Sequence, residues 1–597
     1  MHRRDVLKHA GAMSALLLVN GLPAMAATPV FRRVRPGDPG WPDARKWGRL
    51  KDAVGDALIE GRALFAPCAP GGGDVACSDL EASLGNPFFL GDQPSGTQVS
   101  GWLDAWLPAS SAYVIHARSA ADVVAGVNFA REHRLRLVVK GTGHSYQGTS
   151  NAADSLLIWT RAMNRVTVHD RFTPKGLEGK IAPYPAVTAE AGAMWIDLYH
   201  AVTIEAGRYV QGGGCTDVGV AGLIQSGGFG SFSKGFGTAA SSLLEAEIVT
   251  ADGVVRTINA VSQPDLFWAI KGGGGGSWGV VTKLTLRTHD LPRHFGSAWG
   301  VIKAHSDEAF RRLIERFVDH YAETLFNPHW GEQVSIYPDN RLDISMVCQG
   351  LTEADIERTW APFFAGIEAF PSDFTIADER GVRAVDARRW WVVEGNPSMT
   401  PDRRPDAPSW HGWWNGDQDQ VSAFLHGFES LWLPASLLQP ARRPQLADAL
   451  FRASRFKRVQ LHFNKGIAGA PAEAVKASLD TATNRAVCQA FALAIIADGE
   501  GPAYPGMKRS PMDLDAARTD ARRIDQANAE LRRVVPDGGS YVSESNYFNR
   551  RWREAFWGEH YPRLAAVKEK YDPEGLFFVH HGVGSEAWSA DGFTRLD

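Results

Sequence analysis

The sequence predicts an α+β protein: a glycine-looped unit followed by a second unit built as an antiparallel sheet backed by helices. Two observations carry that expectation. Short β-branched runs end in glycine clusters between residues 105 and 290, and strand-like runs alternate with amphipathic helical stretches between 291 and 535. The 597 residues are 44% hydrophobic, too long a chain for one small core. A formal net charge of −4 gives no reason to expect a nucleic-acid partner. The 61 glycines are clustered rather than periodic, which argues for close backbone approach to a ligand and against a fibrous protein.

The elements follow in chain order. "MHRRDVLKHAGAMSALLLVNGLPAMAA" carries Arg3 and Arg4, a short apolar run and a small-x-small end at Ala24-Met25-Ala26. The run is too short, and too interrupted by Asn20 and Pro23, to span a bilayer. It resembles a bacterial twin-arginine export signal. Residues 1–26 are therefore expected to be a signal peptide and 27–104 an N-terminal extension. The mature protein is expected to be periplasmic or secreted, with no membrane attachment once the signal is removed. Cys68 and Cys77, in "APCAPGGGDVAC", are a candidate disulfide in such a compartment. Cys348 and Cys488 sit in apolar surroundings as small core residues, and Cys215 follows three glycines in "QGGGCTDVG".

"SAADVVAGVNFAREHR" has helical spacing, and "LRLVVKG", "DSLLIWT" and "AVTAEAGA" read as strands. "MWIDLYHAVTIEAG" predicts a helix, and "LLEAEIVTADGVVRTI" a hairpin turning at Asp252-Gly253. "DLFWAIKGGGGGSWGVVTKLTLRTH" predicts a short helix, a glycine run and a strand. Further on, "QVSIYP", "RLDISMVCQG" and "FKRVQLHFNKG" read as strands and "DLDAARTDARRIDQANAELRRVV" as a helix.

Three glycine clusters, "KGTGHSYQG", "GGGCTDVGVAGLIQSGGFGSFSKGFG" and "KGGGGGSWG", spread over about 140 residues. A nucleoside-triphosphate loop needs G-x-x-x-x-G-K-[ST], which is absent, and a dinucleotide fingerprint would sit in one compact βαβ unit. A long ligand touched by several loops remains.

Together the clusters resemble the FAD-binding domain of the vanillyl-alcohol-oxidase/PCMH superfamily, in its berberine-bridge-enzyme-like branch of long fungal and bacterial members. "WPDARKWGRLKDAVGDALIEG", "QLHFNKGIAGAP", "TATNRAVCQAFALAIIA" and "YDPEGLFFVHHGVGSEAW" extend the likeness along most of the chain. The resemblance implies a PCMH-type FAD-binding domain at 105–290, a substrate domain at 291–535 and a C-terminal segment, 536–597, that returns to the FAD domain. It implies covalent FAD, bonded through His144 at the flavin 8α-methyl and through Cys215 at C6. Gly141, Thr142, Gly143, Ser145, Val218, Gly219, Gly222, Gly227, Gly228 and Gly230 are then cofactor contacts, with Gly273 to Gly276 as supporting backbone. Phe578 and His581 fall where the chain returns, and His580 or His581 would place a cation near the flavin N1–C2 carbonyl. Plant members carry a histidine eight residues after the cysteine; this chain has Leu223.

For catalysis, "GSYVSESNYF" offers Tyr541 as the base, with Glu544 and His462 as alternatives and Lys465 as the cation that would lower the phenol pKa. No metal is expected. Trp390, Trp391, Trp410, Trp413 and Trp414 offer aromatic faces that suit sugars and flat aromatics alike, or a tryptophan-rich core. The resemblance implies an oxidase of alcohols or saccharides with dioxygen as acceptor, Val218 standing where such enzymes admit oxygen. The alternatives are a dehydrogenase that passes electrons to another acceptor, oxidising a C–N or C–C bond, and a flavin-carrying binding protein with little turnover.

Overall fold

The computed structural model describes residues 31–69 and 74–596, so the signal-like segment 1–26 lies outside the described residues. Cys68 and Cys77 form a disulfide. Cys215, Cys348 and Cys488 are free thiols, and Cys348 is buried.

The glycine-looped unit begins with a helix capped from both sides. Ser119 Oγ accepts from the Asp122 N–H, and the Asp122 carboxylate accepts from the Ser119 N–H, which fixes the first turn of Ala120–Glu132. The chain then enters the strand Arg136–Lys140. It pairs in parallel with Ser155–Trp159, which pairs in parallel with Tyr113–His116. All five residues of Ser155–Trp159 are buried, as befits a strand with both faces covered. Leu58–Glu60, from the N-terminal extension, closes that sheet antiparallel to Tyr113–His116.

A five-stranded antiparallel sheet follows, in the order Val255–Asn259, Leu243–Val249, Val280–Arg287, Tyr184–Glu190, Val166–Phe172. The expected hairpin is its edge pair, and Gly253 takes φ +76° in the turn. The stretch expected as one helix over 194–207 divides. Trp195–Leu198 is α-helical and Tyr199–Glu205 is π-helical. The widened turn lets the Tyr199 hydroxyl donate to the Gly213 carbonyl at 2.5 Å, while the ring stacks on Trp391 at 4.0 Å.

The third sheet has nine strands. It is antiparallel except at its edge, where Gly101–Trp102 runs parallel to Phe424–Pro434. Helices Asp307–His320, Glu353–Glu368, Arg443–Ser454 and Leu514–Arg532 cover one face, and Phe317, Trp360, Leu450 and Ile524 form a core with the strands. The chain then returns to the first unit. Helix Tyr561–Tyr571 packs against helix Pro264–Ile270, with Arg563 over Trp268 at 3.7 Å and Lys570 paired to Asp265 at 2.7 Å. Among the described residues no helix is long and apolar enough to cross a membrane, and no group of side chains is suited to hold a metal ion.

Glu429, on the long strand Phe424–Pro434, gives the nine-stranded sheet a pH dependence. Burial pushes its carboxyl up to about 7, although Asn546 Nδ2 donates to it at 2.7 Å. Between the ordinary glutamate value and about 7, the folded chain holds a proton that the unfolded chain has lost. Stability must therefore fall as pH rises through that window. Glu429→Gln removes this contribution. The melting temperature of the variant minus that of the wild type should grow by at least about 1–2 °C between pH 5 and pH 7.5. A difference that stays flat with pH would refute the assignment.

Candidate active site

The strand Arg136–Lys140 ends on a buried ammonium. Lys140 Nζ donates to the carbonyls of Gln93, Pro94 and Gly96 at 2.7, 2.6 and 3.1 Å. Burial pulls its pKa down to about 7, and the three acceptors offset the lost hydration. The chain must then turn against segment 93–96. Gly143 does so with φ +87°, and a Cβ there would stand 2.9 Å from the Gly96 carbonyl. Ser145 steadies the turn by accepting from Thr149 N–H and Oγ1 at 3.2 and 2.7 Å. Thr142 Oγ1 accepts from the Gly219 N–H at 2.9 Å, which ties the first glycine loop to the second.

His144 emerges from this turn, and its Nε2 is hydrogen-bonded to the buried carboxylate of Asp217. Two residues before Asp217, the Cys215 thiol faces Asp417, which comes from the segment Asn415–Gln420. Burial pushes the thiol pKa up, and the charges of Asp417 and Asp217 push it further. Asp417 is itself raised to about 7, by burial and then by Asp217. The environment thus keeps Cys215 a thiol, whereas nucleophilic attack needs a thiolate.

The glycines separate into two kinds. Gly141, Gly143, Gly219, Gly222 and Gly274 to Gly276 line one cavity of 1510 Å³, and a Cβ on Gly222 would meet no protein atom within 4 Å. Gly227, Gly228 and Gly230 do not line it. A Cβ would meet Thr483 Cγ2 at 2.4 Å from Gly227, Leu223 Cδ2 at 2.2 Å from Gly228 and the Gly212 carbonyl at 2.2 Å from Gly230. Those three serve packing. Thr142, Ser145, Val218 and Leu223 also line the cavity. Phe578 does not; it lies beneath the Arg136 guanidinium, 4.9 Å from its ring centroid.

The C-terminal return brings Val579, His580, His581 and Gly582 to the same cavity. The two histidines stack at 3.8 Å, and His580 Nε2 donates to the Tyr547 carbonyl at 2.8 Å. Burial and His580 push His581 down to about 3, and burial lowers His580 as well. Neither supplies the cation expected there at neutral pH.

The same cavity is also lined by Tyr541, Glu544, His462 and Lys465. Lys465 Nζ donates to both Glu544 oxygens at 2.6 and 2.5 Å, so its charge is engaged by Glu544 and is not directed at the phenol. Burial and the Glu544 charge instead raise the Tyr541 pKa, against smaller opposing contacts from Ser543 and the Gly228 backbone. Burial and the nearby Lys465 push His462 well below its ordinary value, so the ring is neutral. Trp390 and Trp414 line the cavity; Trp391 and Trp413 belong to the core, and Trp410 stacks on His200 at 4.3 Å.

Two carboxyl groups in the cavity wall carried no sequence signal: Asp417, and Glu332 on strand Trp330–Ile336. Glu332 has φ +61°, rare for a non-glycine residue, accepts from Ser231 Oγ and Asn464 Nδ2, and has its pKa raised by burial.

Comparison with known proteins adds the following. Residues 111–259 match a FAD binding domain, and residues 527–584 match the berberine and berberine-like family. The chain is 27% identical to a VAO-type flavoprotein oxidase, VAO615, of Thermothelomyces thermophilus, over 94% of this chain and 95% of that protein. It is 27% identical to the FAD-linked oxidoreductase patO of Penicillium expansum, over 94% of each. Among solved structures, the VAO-type flavoprotein MtVAO615 from Myceliophthora thermophila C1 superposes with a TM-score of 0.76 at 25% identity, covering 95% of this chain and 100% of that one. The glucooligosaccharide oxidase of Acremonium strictum, described with a 6-S-cysteinyl, 8α-N1-histidyl FAD, shares the fold with a TM-score of 0.61 at 18% identity, over 83% and 95% of the two chains.

One expectation is corrected here. The curated relatives are fungal, so a bacterial twin-arginine signal at residues 1–26, and a bacterial periplasmic location with it, has no support. With a FAD binding domain matched early, a berberine-like segment matched late and one architecture shared with a VAO-type flavoprotein, the chain is a FAD-linked oxidoreductase similar to the berberine-like and VAO-type flavoproteins.

Proposed function

We propose that this enzyme oxidises an alcohol or saccharide with FAD bonded covalently to His144 and Cys215, and that dioxygen takes up the electrons as hydrogen peroxide. The observation that carries this reading is the convergence of His144 and Cys215, from separate loops, on one cavity that Tyr541 and the Lys465–Glu544 pair also line. The cavity of 1510 Å³ exceeds the roughly 300–1,000 Å³ usual for a small ligand, in keeping with a dinucleotide plus a substrate. Its lining fits such a guest. Gln225 Oε1, Asp417 Oδ2, His462 Nε2, Asn464 Oδ1 and His581 Nδ1 are covered from solvent and have no protein partner. The bare face of Gly222 admits a flat or anionic group against the backbone.

When bound, FAD supplies a hydride acceptor at N5 and a carrier of the electron pair to dioxygen. The chain's own residues supply the rest. Trp390 and Trp414 offer faces to a ring or sugar, and Gln333 and Gln460 offer amides to its hydroxyls. We assign the substrate hydroxyl proton to Tyr541, with Glu544 as second candidate. Burial holds the Tyr541 phenol protonated at rest, so the phenol must release its proton towards Ser543 or Glu544 before it can accept another.

In denatured wild-type protein the flavin should stay with the chain after acid precipitation. His144→Ala should leave it attached through Cys215 alone, and the double variant with Cys215→Ala should release it. Free flavin from the wild type overturns the covalent reading. Gly222→Val should abolish flavin retention without lowering the melting temperature of the flavin-free protein, since the side chain enters empty space. Gly230→Ala should lower that temperature, since its Cβ meets a carbonyl. Tyr541→Phe should slow flavin reduction by about 10²–10⁴-fold in stopped flow, with flavin still bound. A rate within about threefold of wild type moves the role to Glu544.

A further inference from the structure

The tether reading leaves a chemical question that the residues around it answer. Each tethering group must lose a proton to become attached: the thiol from sulfur, the imidazole from a ring nitrogen. Burial and neighbouring charge oppose this at Cys215. Lys465, the cation whose charge favours the thiolate, is engaged by Glu544. Yet two carboxyl groups stand against the tethers. Asp217 holds His144 Nε2, and Asp417 faces Cys215, with its Oδ2 closed off from solvent and without a partner. Two mutually repelling carboxyl groups beside the site of an anionic cofactor cost stability, and the favourable partners of Asp417 are the two tether residues themselves, Cys215 and His144.

We propose that Asp217 and Asp417 are the proton-handling pair of flavin attachment: Asp217 sets Nδ1 of His144 as the bonding nitrogen, and Asp417 takes the proton from Cys215. The inference rests on the tether reading above. A carboxylate can only accept, so a neutral His144 bonded to it carries its hydrogen on Nε2 and its lone pair on Nδ1. That agrees with the N1-histidyl link described for the Acremonium strictum oxidase. In the first attachment the Nδ1–C8α bond forms and one 8α C–H bond breaks. That carbon loses a proton, Nε2 passes its hydrogen to Asp217, and the electron pair enters the ring. In the second, the thiol proton goes to Asp417, the S–C6 bond forms, the C6 hydrogen leaves as a proton, and a second pair enters the ring. Dioxygen removes each pair as hydrogen peroxide, so each attachment consumes one dioxygen and the protons balance.

The test follows attachment rather than turnover. Full-length chains are produced under riboflavin limitation and incubated with FAD in air, and flavin on the His144 and Cys215 peptides is quantified by mass spectrometry over time. Asp417→Asn should keep His144 attachment near the wild-type rate and slow Cys215 attachment at least tenfold. Asp417→Glu, which keeps the carboxyl group, should restore it. Asp217→Asn should slow His144 attachment at least tenfold, and the wild-type histidyl flavin should be Nδ1-linked by NMR of the isolated peptide. Cys215 attachment at the wild-type rate in Asp417→Asn, or an Nε2 link in the wild type, overturns the pair while leaving covalent attachment intact. A wild type that carries no flavin on either residue overturns the tether reading and the pair together. The linkage measurement uses the wild type alone, so the proposal stays falsifiable should a variant fail to fold.

Discussion

Lys140 does its work without reaching solvent. Its ammonium is shared among three backbone carbonyls of segment 93–96, and the glycine turn that bears His144 is built against that segment. A buried cation is tolerated only while each N–H has an acceptor, so strand end, turn and 93–96 segment hold one relative position. The Thr142–Gly219 bond carries that position to the second loop, where Cys215 and Asp217 sit. Replacing Lys140 by an apolar residue would take the ammonium from all three carbonyls, leaving the Gln93 carbonyl only the Gly96 N–H, and free the turn from its support. The placement of the histidine and the cysteine follows from this one arrangement more than from the glycines that make it visible in the sequence.

The local pattern of the chain carried much of this. A β-branched run closing on Lys140, small residues and a histidine reads directly as strand, tight turn and projecting side chain. Asp252-Gly253 between two apolar runs reads as a hairpin, and the structure has it. Other features were not legible because they depend on contacts distant in sequence. Gly222 and Gly230 look alike as letters. One faces open space and the other a carbonyl, a difference set by Gly212, eighteen residues back for Gly230. Trp390 and Trp391 are neighbours, but one lines the cavity and the other stacks on Tyr199. Lys465 was expected to aid Tyr541, and its ammonium is taken by Glu544 instead. The π-helical turn at 199–205 has no spacing signature at all, because side-chain periodicity hardly changes over a single widened turn.

Electrostatics along the cavity follows the same division. Small residues of the glycine loops and the neutral His580 and His581 line part of the cavity. One stretch of the cavity wall holds the ionisable groups Glu332, Glu544, Asp417 and Lys465, with Asp417 and Lys465 close enough to Cys215 to act on its thiol. Burial raises Glu332 and Asp417 towards protonation, so this wall is less negative at neutral pH than its composition suggests. A wall of raised carboxyl groups suits proton acceptance near neutral pH, and amides and aromatic faces beside it suit a neutral hydroxylated substrate.

Asp417 reaches Cys215 from two hundred residues away because the segment carrying it is anchored on the first unit. Thr216 Oγ1 donates to the Gly412 carbonyl at 2.7 Å, and His411 Nε2 and Trp410 Nε1 both donate to Asp197 Oδ1, at 2.9 and 3.2 Å. Arg388 Nη2 donates to the carbonyls of Ile204 and Glu205 at 2.8 Å each, at the end of the π-helical turn. Tyr199, from that same turn, bonds Gly213 and stacks on Trp391. The loop of the cysteine and the segment of its facing carboxyl group therefore share one set of supports. A displacement of either moves both, so the thiol and Asp417 keep their mutual geometry.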